Sequence, residues 1–260
     1  MKPTKLFFLL LTLGFVAGPA YAQSLAPHQR LAREIYKELI EINTTDSVGN
    51  TTLAAEAIAR RLRRAGFPED DIHVLGMDAR KGNLVTRLRG NGARRPILLL
   101  AHLDVVEARR EDWSFDPFKF QEKDGYFLGR GTADDKAMAA IFAANLIRYK
   151  HEGFVPDRDI ILALTADEEL GEVPTNGVSW LLKKYKNLID AEFALNEGGG
   201  VSLRSGKPVV SRVQVSEKVS VMYRLEVKNA GGHSAVPVRD NAIYHLAEGI
   251  RRLSRHAFPV

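Results

Sequence analysis

Two short runs of apolar residues constrain the fold of this chain more than any other feature of its sequence. They lie within the segments 96–101 and 159–164. A continuous apolar run of this length is typical of a β-strand that is covered on both faces. We therefore expect both segments to be strands in the interior of a sheet, with helices packed over its faces.

Helical and extended segments alternate along most of the chain. Apolar residues at helical spacing predict helices at residues 28–42, 52–65, 135–149, 177–186 and 241–253. Further strands are predicted at residues 72–76, 83–89, 193–195 and 219–227. This alternation indicates an α/β fold with a mostly parallel central sheet flanked by helices.

The first 22 residues have the pattern of an export signal. Lys2 and Lys5 precede an apolar stretch that is too short to span a bilayer, and an A-x-A site ends at Ala22. We expect cleavage after Ala22 and a periplasmic or secreted protein with no membrane association afterwards. The loss of two lysines and no acids lowers the formal charge from +5 to +3. Without interleaved basic and aromatic residues, this charge does not predict a nucleic-acid partner.

Candidate metal ligands follow the predicted strands, at the edge where open α/β sheets bind ligands. His102 and Asp104 follow the first apolar run, and Glu197 follows the strand at 193–195. Three adjacent acids, Asp167, Glu168 and Glu169, follow the second run, and Asp134 and Asp135 begin a helix. Because the chain contains no cysteine, a metal site must use His, Asp and Glu. We expect the three adjacent acids to face metal.

The spacing of these residues suggests a division of roles. Residues two apart in extended chain point the same way, so Asp104 can orient the ring of His102 by accepting a hydrogen bond from it. Adjacent side chains point in different directions. One of Glu168 and Glu169 can therefore bind a metal ion while the other holds the attacking water.

Six stretches along the chain together resemble the co-catalytic dizinc exopeptidases. This family includes carboxypeptidase S, glutamate carboxypeptidase, succinyl-diaminopimelate desuccinylase and the aminoacylases. The stretches occur in the family's order between residues 101 and 237 and are AHLDVV, DWSFDPF, GRGTADDK, TADEE, NEGGG and GGHSAVP. The resemblance implies two Zn²⁺ ions in the complete enzyme, with Mn²⁺ or Co²⁺ as alternatives.

The resemblance also implies a role for each matching residue. His102 and Glu197 would bind the first zinc, Glu169 would bind the second, and Asp134 would bridge the two. Glu168 would be the general base, and Asp104 would steer His102. His233 would lie in a lid or dimerisation domain and reach the site of the partner subunit in a homodimer. A cis peptide bond between Asp134 and Asp135 is implied as well.

The same resemblance predicts the domain organisation and the reaction. Residues 1–22 would be the signal peptide, residues 23–212 the N-terminal part of the catalytic domain, and residues 213–260 the start of the lid. Relatives continue further and supply a last histidine for the second zinc, so we expect this sequence to be the N-terminal portion of a longer enzyme. The reaction would be hydrolysis of an amide bond that releases a terminal amino acid from a peptide or N-acyl amino acid. The alternative is a truncated or degenerate, non-catalytic relative that acts in binding or dimerisation.

Overall fold

The computed structural model describes residues 25–215, 221–233, 235–236 and 238–257. The predicted signal peptide lies outside these residues. The described residues form two compact units, which are divided between residues 198 and 199. This division falls earlier in the chain than the predicted domain boundary after residue 212, and the roles predicted for the two parts stay predictions.

The first unit contains a five-stranded sheet and five of the helices. The helices are α1 (Pro27–Glu41), α2 (Thr51–Arg64), α3 (Lys136–His151), α4 (Gly177–Lys184) and α5 (Lys186–Ile189). The strands of the sheet are β1 (Ile72–Gly76), β2 (Gly82–Leu88), β3 (Ile97–His102), β6 (Ile160–Thr165) and β7 (Phe193–Leu195). A separate hairpin consists of β4 (Gln121–Lys123) and β5 (Tyr126–Leu128). No helix in the described part of the chain is long and apolar enough to cross a membrane.

The sheet is mixed, with the strand order β1-β2-β6-β3-β7. β3 pairs in parallel with both β6 and β7, whereas β2 pairs antiparallel with both β1 and β6. Four strands therefore run in one direction, and β2 alone opposes them. The prediction of an α/β fold with a helix-flanked sheet is confirmed, and its two central apolar runs form the neighbouring strands β3 and β6.

All six residues of β6 are buried, and the first five are apolar. Leu162 and Leu164 belong to a core cluster shared with α1, α2 and α3, while Ile161 and Ala163 belong to a second cluster that includes Leu181 of α4. A strand with helices over both faces cannot alternate polar and apolar residues, since either face would then bury unpaired polar groups.

Several predicted elements differ from the structure. The described residues 221–227 contain no strand, so the prediction of a strand at 219–227 is wrong there. The helix predicted at 177–186 ends at Lys184, where Tyr185 leaves helical geometry, and α5 begins at the next residue. The sequence analysis also missed the β4–β5 hairpin, whose turn residues Asp124 and Gly125 have φ values of 53° and 79°. An Asp-Gly pair with two positive φ values is a common hairpin turn and could have signalled it.

The second unit contains a hairpin and a helix. The strands β8 (Gly200–Arg204) and β9 (Lys207–Arg212) pair antiparallel, and α6 (Ala242–Leu253) follows later in the chain. The helix α6 was predicted at 241–253, whereas the hairpin was missed. Its turn residues, Ser205 and Gly206, have φ values of 49° and 73° and so form the same kind of turn as Asp124-Gly125.

Candidate functional site

The carboxyl ends of β3, β6 and β7 bring five of the seven predicted site residues to one edge of the sheet. His102 is the last residue of β3 and pairs in register with Thr165, the last residue of β6. Glu168 and Glu169 follow β6, and Glu197 lies two residues beyond the end of β7. Because these three strands are parallel, residues that lie far apart in sequence meet at this edge.

Five side chains form two overlapping groups that could hold metal ions. In one group, ligand atoms of His102, Glu168 and Glu197 all lie within 4.8 Å of one another. In the other, the same holds for His102, Asp134 and Glu169. His102 Nε2 lies 2.8 Å from Asp134 Oδ1 and 3.8 Å from Glu197 Oε1. The other three predicted metal ligands and the predicted base thus meet around the imidazole of His102.

The His102 ring is buried, and Asp104 contacts its Nδ1 side. Its Nδ1 lies 3.0 Å from the backbone carbonyl oxygen of Asp104 and 3.5 Å from the carboxylate Oδ1. Nε2 therefore faces the acidic side chains. Burial by itself would lower the pKa of His102, but hydrogen bonds and charge from Asp104, together with Asp134 and Glu197, raise it to about 10. The negative charge around this imidazole stabilises a positive charge, either a proton on the ring or a cation bound beside it.

The Asp104 carboxylate has a further role that the sequence analysis missed. Its Oδ1 accepts a hydrogen bond from the backbone N–H of Glu168 at 3.2 Å, and its Oδ2 accepts one from the N–H of Glu169 at 3.1 Å. Asp104 is itself buried. One carboxylate therefore ties the segment that carries His102 to the loop that carries both glutamates.

Asp167 does not face the other acids, and the expectation that all three adjacent acids face metal is wrong for this residue. Its side chain is 1% exposed, and its Oδ1 accepts a hydrogen bond from Lys81 Nζ at 2.7 Å. Its backbone φ of 58° lies in the left-handed region, which Asp tolerates better than most residues. The chain turns at Asp167, so its side chain lies in the interior while Glu168 and Glu169 reach the sheet edge.

Two buried charged residues, Asp135 and Lys136, lie at the start of α3. The peptide bond between Asp134 and Asp135 is cis, as the resemblance implied. Asp135 Oδ2 accepts a hydrogen bond from the backbone N–H of His102 at 3.3 Å, and burial raises the Asp135 pKa to about 7. Lys136 is fully buried, which lowers its pKa to about 7, and its Nζ donates to the carbonyl oxygens of Leu39 and Ile42 at 2.9 and 2.8 Å.

The donor set fits a divalent metal ion. Partial burial and the nearby charge of Asp134 raise the pKa values of both Glu169 and Glu197, as expected where carboxylates crowd together without a cation. One imidazole nitrogen and several carboxylate oxygens are ligands that Zn²⁺ and Mn²⁺ accept. Both groups share His102, so the five side chains suffice for one ion and contribute carboxylates to a second.

His233 belongs to the second unit, and its predicted role stays a prediction. Its Nδ1 accepts a hydrogen bond from the backbone N–H of Ala235 at 3.1 Å. This local contact fixes the ring orientation within the Gly-rich segment. In the same unit, His245 Nε2 lies 2.6 Å from Asp240 Oδ1.

Comparisons with known proteins show which proteins this chain is similar to. The model of peptidase family M20/M25/M40 matches residues 98–256, which is more than half of the chain and includes every predicted site residue. Over 64% of its own length, the chain is 34% identical to the N-fatty-acyl-amino acid synthase/hydrolase PM20D1 of Homo sapiens. It is 35% identical to the probable carboxypeptidase S-like 2 of Dictyostelium discoideum over 62% of its length. These matches span 33% and 32% of the two relatives, so the matched part of the chain covers about a third of each relative.

A solved structure supports the fold. The M20 family metallo-carboxypeptidase Sso-CP2 from Sulfolobus solfataricus matches 65% of this chain and 38% of its own, with a TM-score of 0.53 and 19% identity. At this identity the likeness concerns the fold alone. It supports the helix-flanked mixed sheet described above.

Proposed function

Because the chain belongs to peptidase family M20/M25/M40, we propose that it is a metal-dependent hydrolase that releases a terminal amino acid by cleaving an amide bond. The observation that carries this proposal is the meeting of His102, Asp134, Glu168, Glu169 and Glu197 at one sheet edge, in two groups whose ligand atoms lie within 4.8 Å. Such a cluster is costly without cations and suits a hydrolytic site.

The family resemblance assigns the ligands to two neighbouring ions. His102 and Glu197 would hold one Zn²⁺ and Glu169 would contribute to the second, with Asp134 between them. Mn²⁺ and Co²⁺ accept the same ligands. The metal, when bound, lowers the pKa of water and polarises the carbonyl group of the substrate.

Glu168 is proposed to move the proton. Its carboxylate accepts a proton from water as the water oxygen attacks the carbonyl carbon, and the proton then passes to the amine nitrogen when the C–N bond breaks. The products are a carboxylate and a free amine, so the reaction consumes one water molecule. The hydrogen bond from the Glu168 backbone N–H to Asp104 keeps this residue at the sheet edge throughout.

The substrate class is a peptide or an N-acyl amino acid. One relative is named for hydrolysis of N-fatty-acyl amino acids and another for likeness to a carboxypeptidase, and both types of substrate contain an amide bond next to an amino acid. His233 is proposed to act from the lid in a homodimer, by stabilising the oxyanion in the site of the partner subunit. Export to the periplasm or the medium, directed by residues 1–22, is part of the proposal.

A second candidate is a non-catalytic relative that binds ligands or dimerises. The observation that favours it is that both ligand groups depend on the same histidine, His102. A protein that has kept the fold but lost a complete second metal site would retain the cluster without turnover.

The test measures amide hydrolysis by the full-length protein on a panel of dipeptides and N-acyl amino acids with Zn²⁺ present. We expect turnover by the wild type, and a loss of about 10²–10⁴-fold in kcat for Glu168→Ala with metal still bound. Glu172→Ala, in the exposed loop that follows, is the matched control and should retain full activity. If the wild type does not exceed Glu168→Ala on any substrate, the non-catalytic candidate replaces the enzyme.

A further inference from the structure

A buried ion pair lies directly beside the loop that carries Glu168 and Glu169. Lys81 Nζ lies 2.7 Å from Asp167 Oδ1 and also 2.7 Å from Asp46 Oδ1. The side chains of Lys81 and Asp167 are 10% and 1% exposed, whereas that of Asp46 is 54% exposed. Of the two contacts, the one to Asp167 is therefore shielded from water and the stronger.

Polar side chains of four residues form hydrogen bonds with the turn around Asp167. Asn83 Oδ1 accepts a hydrogen bond from the backbone N–H of Ala166 at 2.9 Å, and Asn176 Nδ2 donates to the carbonyl oxygen of Asp167 at 3.1 Å. The Asp104 carboxylate accepts the next two N–H groups. Lys81 binds the side chain of Asp167, whereas the other partners bind backbone groups of the turn.

Asp167 depends on Lys81 to remain buried. A carboxylate that is taken out of water is costly unless a cation or hydrogen-bond donors compensate it. Within the described part of the chain, Asp167 Oδ2 has no hydrogen-bond partner, so the compensation acts through Oδ1 and Lys81. Without Lys81, Asp167 would gain by turning toward water, and that rotation would move the two residues that follow it.

We propose that Lys81 and Asp167 are a positioning pair that fixes the left-handed turn after β6 and thereby aims Glu168 and Glu169 at His102. Neither residue touches the reacting atoms. The effect on loop order depends only on the contacts above, while the effect on catalysis rests on the proposed function.

Hydrogen exchange of the metal-free, full-length protein tests the pair independently of any activity. The amides of residues 166–169 are compared in the wild type, Lys81→Met, Asp167→Asn and Asp46→Asn. We expect exchange at least tenfold faster in Lys81→Met and Asp167→Asn. Asp46→Asn makes the same chemical change at the exposed partner of Lys81 and should stay within twofold of the wild type.

Three results would overturn the proposal. The first is unchanged exchange in both Lys81→Met and Asp167→Asn, and the second is an equal acceleration in Asp46→Asn. The third is failure of both variants to fold, as judged by circular dichroism, since the pair would then support the whole domain rather than this turn. Lys81→Arg preserves the charge and should bring exchange back toward the wild-type rate, which a general packing role would not require.

Kinetics then connect the turn to the reaction. With Zn²⁺ and a dipeptide or N-acyl amino acid that the wild type cleaves, Asp167→Asn should lower kcat at least tenfold and leave KM within threefold. An unchanged kcat beside accelerated exchange would overturn the catalytic part of the proposal. A wild-type protein without any turnover would refute the proposed function, and the exchange rates would still decide whether the pair holds the turn.

Discussion

The carboxylate of Asp104 holds the backbone of Glu168, with Asp104 Oδ1 at 3.2 Å from the Glu168 nitrogen. The same carboxylate accepts the N–H of Glu169, while the Asp104 carbonyl oxygen lies 3.0 Å from Nδ1 of His102. Asp104 therefore orients both the imidazole and the two glutamates. The order of the site depends on this residue as much as on the predicted ligands.

Asp104→Asn should disturb both glutamates at once. An amide group offers one acceptor oxygen, so one of the two loop N–H groups would face an NH₂ donor instead. We expect a loss of about 10–100-fold in kcat or in zinc affinity, the range found when groups that orient metal ligands are removed. Steady-state kinetics and zinc titration measure it. Asp112→Asn, at an exposed position, should change neither quantity, and wild-type values for Asp104→Asn would refute this role.

Lys136→Met should lower the free energy of unfolding. The buried Nζ of Lys136 donates to the carbonyl oxygens of Leu39 and Ile42 at the end of α1, and methionine removes both of these hydrogen bonds. We expect a loss of about 1–3 kcal/mol in urea denaturation. Lys37→Met, whose side chain is 52% exposed in the wild type, should stay within about 0.5 kcal/mol. Equal stability of the two variants would contradict this reasoning.

Tyr36 should make the protein sensitive to alkali. Burial raises the pKa of Tyr36 from 10.0 to about 12. Because the folded-state pKa is the higher one, the stabilisation is complete below pH 10 and is lost as the pH rises toward 12. The Tyr36 share of this loss is about 2 kcal/mol. Urea midpoints measured across this range should fall more steeply for the wild type than for Tyr36→Phe, and parallel curves would contradict the prediction.

The central strands could be predicted because their pattern is local. Residues 97–101 and 161–164 are apolar without interruption, and a run of this length between turn residues indicates a strand covered on both faces. The hairpins were missed because β4 and β5 have only three residues each and β8 and β9 are almost entirely exposed. The turns at Asp124-Gly125 and Ser205-Gly206 were the local signals that could have identified them. The predicted strand at 219–227 had the right alternation, but alternation alone does not supply a neighbouring strand to pair with.

The residues of the candidate site could be predicted from the sequence, but several of their contacts could not. Three of the four predicted ligands, His102, Glu169 and Glu197, lie at or just beyond the ends of strands of the same sheet, which is visible from the sequence. The fourth, Asp134, lies just before α3. The partner of Asp167 is Lys81, 86 residues away, and no local pattern connects them. For the same reason, three adjacent acids looked alike in the sequence, although a left-handed φ at Asp167 sends one of them into the interior.

The most direct test of the account is the zinc content of the full-length protein after dialysis, measured for the wild type and for His102→Ala. His102 belongs to both candidate ligand groups, so its removal should affect both ions. We expect the wild type to retain zinc and His102→Ala to lose most of it while remaining folded. A wild type that retains no zinc, or a variant that retains as much as the wild type, would contradict the metal site on which the proposed hydrolysis depends.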